Sequence, residues 1–141
     1  MQTPENKFNQ QFLALVGLAE ANTDEGWEKI DAGLPTICDD PSIVDWARNN
    51  TSNNVEGLRD LAGTIFEASS IELTDKDIQM LQELMNDQGY PGFRAACALA
   101  KRVKTPSILE IKSDIEQKLK KFVEDADVAE IANEYLRTLG E

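Results

Sequence analysis

The sequence predicts an all-α fold: a short α-solenoid of antiparallel helical hairpins with about eight helices. Three observations carry this expectation. Apolar residues recur at helical spacing along almost every segment, and no alternating β-branched pattern of a strand interrupts them. Related stretches stand thirty-five residues apart, with Gly-Leu-Arg-Asp-Leu-Ala at 57–62 answered by Gly-Phe-Arg-Ala-Ala-Cys at 92–97 and, more faintly, by Asp-Val-Ala-Glu-Ile-Ala at 127–132. A recurring helical face marks a unit that cannot cover its own apolar side, so neighbours must stack to cover it. The connections between helices are short, which makes successive helices antiparallel.

Each element has its own signal. From Asn6 to about Ala21, Phe8, Phe12, Leu15, Val16 and Ala19 share one face. A second helix carries Trp27, Ile30 and Leu34, and Gly33 followed by Pro35 stops it. Asp40 offers an N-cap before Pro41, at a position where the missing N–H of proline costs nothing. The helix it opens turns Ile43, Val44, Trp46 and Ala47 to one side. The polar tract 49–54 is a loop rich in capping residues. A fourth helix from Val55 to Ala68 buries Leu58, Leu61, Ala62, Ile65 and Phe66.

Thr74 with Asp77 forms a capping-box pattern, opening a fifth helix from Asp75 to Asp87 that Gly89 ends. Pro91 opens the sixth, with Phe93, Ala96, Cys97, Leu99 and Ala100 inward. Thr105-Pro106 starts a seventh whose stripe is Ile108, Ile111, Ile115, Leu119 and Phe122. The eighth begins near Asp125 and closes at Gly140, read as a left-handed terminus. The repeat register favours a break over Glu124 to Asp127.

The segment from Met85 to Leu99, Met-Asn-Asp-Gln-Gly-Tyr-Pro-Gly-Phe-Arg-Ala-Ala-Cys-Ala-Leu, resembles a HEAT repeat of the short, phycobilisome-lyase-type HEAT-like variety. Such units join an aspartate-bearing turn, often with proline, to an apolar residue, an arginine and an alanine-rich helix. Residues 53–62 fit less closely, with asparagine where aspartate is expected, and 40–48 hold the same ingredients at another spacing. Val128-Ala129 lacks the arginine. The resemblance covers roughly 40–139 and implies one HEAT/armadillo-like domain over 1–141, with 1–39 as atypical N-terminal capping helices. It further implies structural roles for Arg59 and Arg94, bonding a loop carboxylate or carbonyl of an adjacent unit, and for Asp87, capping its loop or pairing with Arg94.

Composition excludes several functions. The net charge is −12, with 26 acidic and 14 basic residues. That disfavours direct binding to nucleic acid, where cations must replace counterions along the phosphates, and disfavours an anionic membrane surface. No histidine is present, which removes the commonest general base and metal ligand, and every Ser-His or Cys-His pair. The carboxylates Asp24, Glu28 and Asp31 share a helix face, but no calcium-loop pattern surrounds them. The reading is therefore of no enzyme activity, no metal and no cofactor. Two cysteines, Cys38 and Cys97, each lie among apolar residues, and the N-terminus lacks the layout of a signal peptide. A cytoplasmic protein is expected.

Charge is uneven. Residues 94–121 carry eight basic and three acidic residues, a net +5, leaving −17 elsewhere. Compensation of helix dipoles accounts for lysines near helix C-termini, Lys118, Lys120 and Lys121 among them.

In hairpin solenoids the residues opposite the core stripe of an inner helix meet the partner. On the fifth helix these are Lys76, Gln79, Met80, Glu83 and Asn86. On the seventh they are Glu110, Gln117, Lys120, Lys121 and Glu124. The function expected is a non-catalytic protein-protein interaction module. The alternative is an acidic inhibitor or immunity-type protein that occupies the basic, nucleic-acid-binding surface of its partner.

Overall fold

The computed structural model describes residues 4–140, with side chains from Gln10 onward, so the expected core position of Phe8 lies outside the described residues. The described residues are helical, without strands, and they divide into two compact units, 1–71 and 72–141.

The first unit pairs α1 (Pro4–Ala21) with α2 (Asp24–Gly33), and α3 (Pro41–Asn50) with α4 (Glu56–Ala68). A 3-10 turn, Leu34–Thr36, follows α2 where Pro35 cannot continue the α-helix. The two pairs meet where α1 packs on α4. Phe12, Leu15 and Ala19 of α1 are buried in that core, and the Phe12 ring meets the Trp46 ring edge-on at 5.1 Å. Asn22 ends α1 with φ 55°, a left-handed residue that asparagine tolerates, and its side chain accepts from the Trp27 indole at 2.7 Å. Asp40 caps α3 as expected, accepting from the Ser42 N–H at 2.8 Å. Asp39 reaches across to the far end of α4, accepting from the Ser70 N–H at 2.8 Å.

Gly57 explains how close α1 and α4 come. A Cβ there would overlap the carbonyl oxygen of Ala19. The glycine at the head of the repeat is thus the place where one helix rests on the backbone of another.

In the second unit α5 (Asp75–Leu84) pairs with α6 (Tyr90–Ala100), and α8 (Lys112–Lys120) pairs with α9 (Ala129–Gly140). α6 also packs on both α8 and α9, so the second hairpin stacks on the first. The capping box at Thr74 closes in both directions at 3.1 Å, and Asp77 is almost fully buried. Ala62 of α4 and Cys97 of α6 are fully buried, each within its own unit, and neither Cys38 nor Cys97 is in a disulfide.

The structure departs from the expected helices in three places. α5 ends at Leu84, three residues early, because 85–89 form a tight loop held by the Asp87 carboxylate on the Gly89 N–H at 2.8 Å. The expected seventh helix is two: α7 (Pro106–Leu109) and α8, separated at Ile111, whose φ −107°, ψ 16° leaves the helical region. The break lets α7 pack on α5 while α8 packs on α6, so that Ile108 and Ile115 are both fully buried. Gly140 does not end α9 in a left-handed conformation; no described glycine has positive φ. The segment between α8 and α9 is a turn, in which Asp125 accepts from the Asp127 N–H at 2.9 Å.

Candidate binding groove

Because α5 and α8 both lie against α6, their facing sides leave a groove of about 470 Å³. Gln82, Met85 and Asn86 from the end of α5, with Gln88 from its loop, make one wall. Asp114, Gln117, Lys118 and Lys121 make the other. The volume is in the range of sites that hold a small ligand or a short chain segment. The lining is unusual for such a site in being mostly polar, with four carboxamides that can each donate and accept.

The groove is fixed at its base by a contact between its two walls. The Lys118 ammonium donates to the backbone carbonyl of Asp87 at 2.6 Å, tying α8 to the α5–α6 loop. Gly92 permits this: a Cβ there would overlap the same carbonyl oxygen and come within 2.9 Å of Lys118 Cε. Lys118 Nζ lies 6.0 Å from the centroid of the Phe122 ring, which packs at a tilt on Phe93 of α6 with centroids 4.8 Å apart. Tyr90, at the start of α6, donates to the Asp125 carboxylate at 2.9 Å and so anchors the turn after α8. Burial first, and then the bond and the negative charge of Asp125, push the Tyr90 phenol up to about 12.

Lys118 lies in the last turn of α8, the helix end at which a cation is expected, and beyond that expectation only 7% of its surface is exposed. Among the described residues no carboxylate lies within ion-pairing distance of its ammonium. Burial, and then the like charge of Lys121, hold its pKa below the usual lysine value, partly offset by the more distant Asp87 carboxylate. The signal was present in the sequence: position 118 is three residues after Ile115 and seven after Ile111, which puts it on the apolar stripe.

The other sequence-derived candidates fall into two groups. Gln117 and Lys121 line the groove, together with Asn86. Lys76, Gln79 and Glu83 are exposed on α5, Met80 is half-buried there, and Lys120 is exposed on α8; none of these lines the groove. The methionine in the groove is Met85 instead. Gln82, Gln88 and Asp114 were missed, since their inclusion depends on where α5 ends and where α8 begins.

Two of the three residues given structural roles, Arg59 and Asp87, contact loops. Arg59 donates to the carbonyls of Asn53 and Asn54 at 2.9 and 3.2 Å, in the loop that opens its own helix. Asp87 holds its loop as described above. The Arg94 guanidinium lies 5.7 Å from the centroid of the Phe93 ring.

Among the described residues no three carboxylates or thiols gather as a metal site, and no helix is long and apolar enough to cross a membrane. No protein-family model, curated protein or solved structure matches this chain.

Proposed function

We propose that this chain is a non-catalytic protein-binding module, built from HEAT-like hairpins, which takes a segment of its partner along α5 and α8. The observation that carries the reading is the convergence of Asn86, Gln117, Lys118 and Lys121 on one open groove between stacked hairpins. The exposed row Lys76, Gln79 and Glu83 on α5, and Lys120 on α8, extend the surface on either side. The absence of histidine from the sequence and the complete burial of Cys97 support a role without chemistry. Two buried cysteines outside any disulfide accord with a reducing compartment, and the cytoplasm is the location proposed.

The test is differential capture. The wild-type chain and a variant carrying Gln79→Ala, Gln117→Ala and Lys121→Glu are used as baits under identical conditions. A partner held by the first and lost by the second supports the reading; equal capture by both refutes it.

The second reading, an acidic protein that covers a basic surface, draws on one observation. Glu20, Asp24, Glu25, Glu28 and Asp31 are all exposed in the first unit, whose twelve acidic residues face only four basic ones. Binding of that kind weakens steeply with salt, because exposed charges are screened within about 10 Å at 0.1 M ionic strength. A complex insensitive to salt excludes it.

A further inference from the structure

We infer that the groove between α5 and α8 is a carboxylate-recognition site for an acidic peptide segment, with Lys118 and Lys121 receiving the carboxylate. The inference rests on the protein-binding reading and says what the partner must present there.

It begins with a charge that the fold leaves under-compensated. Lys118 has three N–H donors, and the Asp87 carbonyl takes one at 2.6 Å. Its ammonium is held by a carbonyl dipole and the face of Phe122, with no carboxylate in contact among the described residues and the charge of Asp87 only partly offsetting its burial. Taking a cation out of water without a counter-ion is costly, and proteins ordinarily supply one. Lys118 lines a groove with a second lysine on it, so a ligand's carboxylate would complete the set. Such a bond, charge on charge, is among the stronger kinds available to a protein.

Two further features select the ligand. The titratable groups lining the groove are Lys118, Lys121 and Asp114, a net charge of +1. That suits an anionic group, and a single carboxylate neutralises it. The remaining polar lining consists of the carboxamides of Gln82, Asn86, Gln88 and Gln117. Each offers a donor and an acceptor, the same pair that a peptide group presents in return, so the chain carrying the carboxylate is matched as well as the charge. Gly92 and the Asp87 loop preorganise the site, because Lys118 is already fixed before a ligand arrives.

The test uses the full chain, labelled with 15N, and two tetrapeptides, acetyl-Gly-Ala-Glu-Ala-amide and its counterpart with Gln in place of Glu. Side-chain amide resonances of Gln82 and Gln117 report occupancy. The expected result is a saturable shift with the Glu peptide and at least tenfold weaker binding of the Gln peptide. Lys121→Gln, at an exposed position, weakens the Glu peptide at least tenfold without disturbing the fold. Lys118→Met, which keeps the length of the buried stem, abolishes saturation. Inorganic phosphate or sodium acetate binding as tightly as the peptide would show a general anion site and overturn the inference. Equal binding of the Glu and Gln peptides, or no effect of Lys121→Gln, would overturn it too. The outcome is separable from the capture experiment: a partner lost by the triple variant, together with no preference for the Glu peptide, leaves the binding surface standing and removes the carboxylate.

Discussion

Replacing glycine by alanine inside a helix should stabilise it by roughly 1 kcal/mol through propensity alone. In this protein the same substitution should have opposite signs at two positions of one unit. Gly17 lies in the body of α1 with nothing within 4 Å of the added methyl, so Gly17→Ala should raise stability by about 0.5–1 kcal/mol. Gly57 lies in the first turn of α4, where a Cβ overlaps the Ala19 carbonyl oxygen and meets the carbonyl carbon at 2.9 Å.

Relieving that overlap requires α1 and α4 to part by on the order of 1 Å, and a radial gap of that size forfeits up to about half of each dispersion contact across the seam. The side chains concerned include Ala19 and Leu61, both fully buried. Overpacking of this kind costs typically 1–3 kcal/mol, which exceeds the propensity gain, so Gly57→Ala should destabilise by ~1–2 kcal/mol net. The assay is urea unfolding followed by tryptophan fluorescence. Trp27 and Trp46, the two tryptophans of the chain, both belong to the first unit, so the signal reports that unit alone. A Gly57→Ala protein as stable as Gly17→Ala would refute the close approach of α1 and α4.

Thr74→Ala removes half of a capping box and leaves the Asp77 backbone N–H without its side-chain acceptor; a loss of about 1 kcal/mol is expected in chemical unfolding read by circular dichroism. Tyr90 should ionise near pH 12 instead of 10.0, and Asp125→Asn should bring it part of the way back, leaving the effect of burial; a ring-carbon NMR titration reads both. The sign of the linkage follows from the raised value. The neutral phenol is favoured in the folded state, so its stabilisation is complete below pH 10.0 and is lost as pH rises through about 12. The stability difference between wild type and Tyr90→Phe should therefore shrink across that window, and a difference that grew would contradict the bond to Asp125. Gly92→Ala should displace the Asp87 carbonyl and with it the Lys118 ammonium. The side-chain 15N signal of Lys118 should then titrate closer to the ordinary lysine range, and an unchanged signal would deny the contact between the walls.

Helices were legible because their signals are local. The caps at Asp40 and Thr74, the proline openings at Pro41, Pro91 and Pro106, and the periodic stripes all act within one or two turns. What escaped depended on tertiary partners. The interruption at Ile111 exists because α7 and α8 follow different neighbours, and a continuous stripe of isoleucines gives no hint of that. The early end of α5 depends on the turn made by Asp87, which moved Gln82, Met85 and Gln88 onto the groove and left Gln79 and Glu83 outside it. Lys118 was readable by spacing, but a lysine on a core stripe is normally discounted in favour of its solvated head. The two glycines of the repeat signal close approach in both units, and only the structure says to what: the end of another helix for Gly57, and the preceding loop for Gly92.

Stacking of the α8–α9 hairpin on α6 underlies the groove, its lysine and the proposed partner site alike. Aromatic nuclear Overhauser spectroscopy on the full chain reads it directly. Strong cross-peaks from the Phe122 ring to those of Phe93 and Tyr90 are expected, at centroid separations of 4.8 and 6.1 Å. A Phe122 ring with cross-peaks only to residues of its own hairpin would mean that α8 does not lie against α6, and no groove would remain to bind anything.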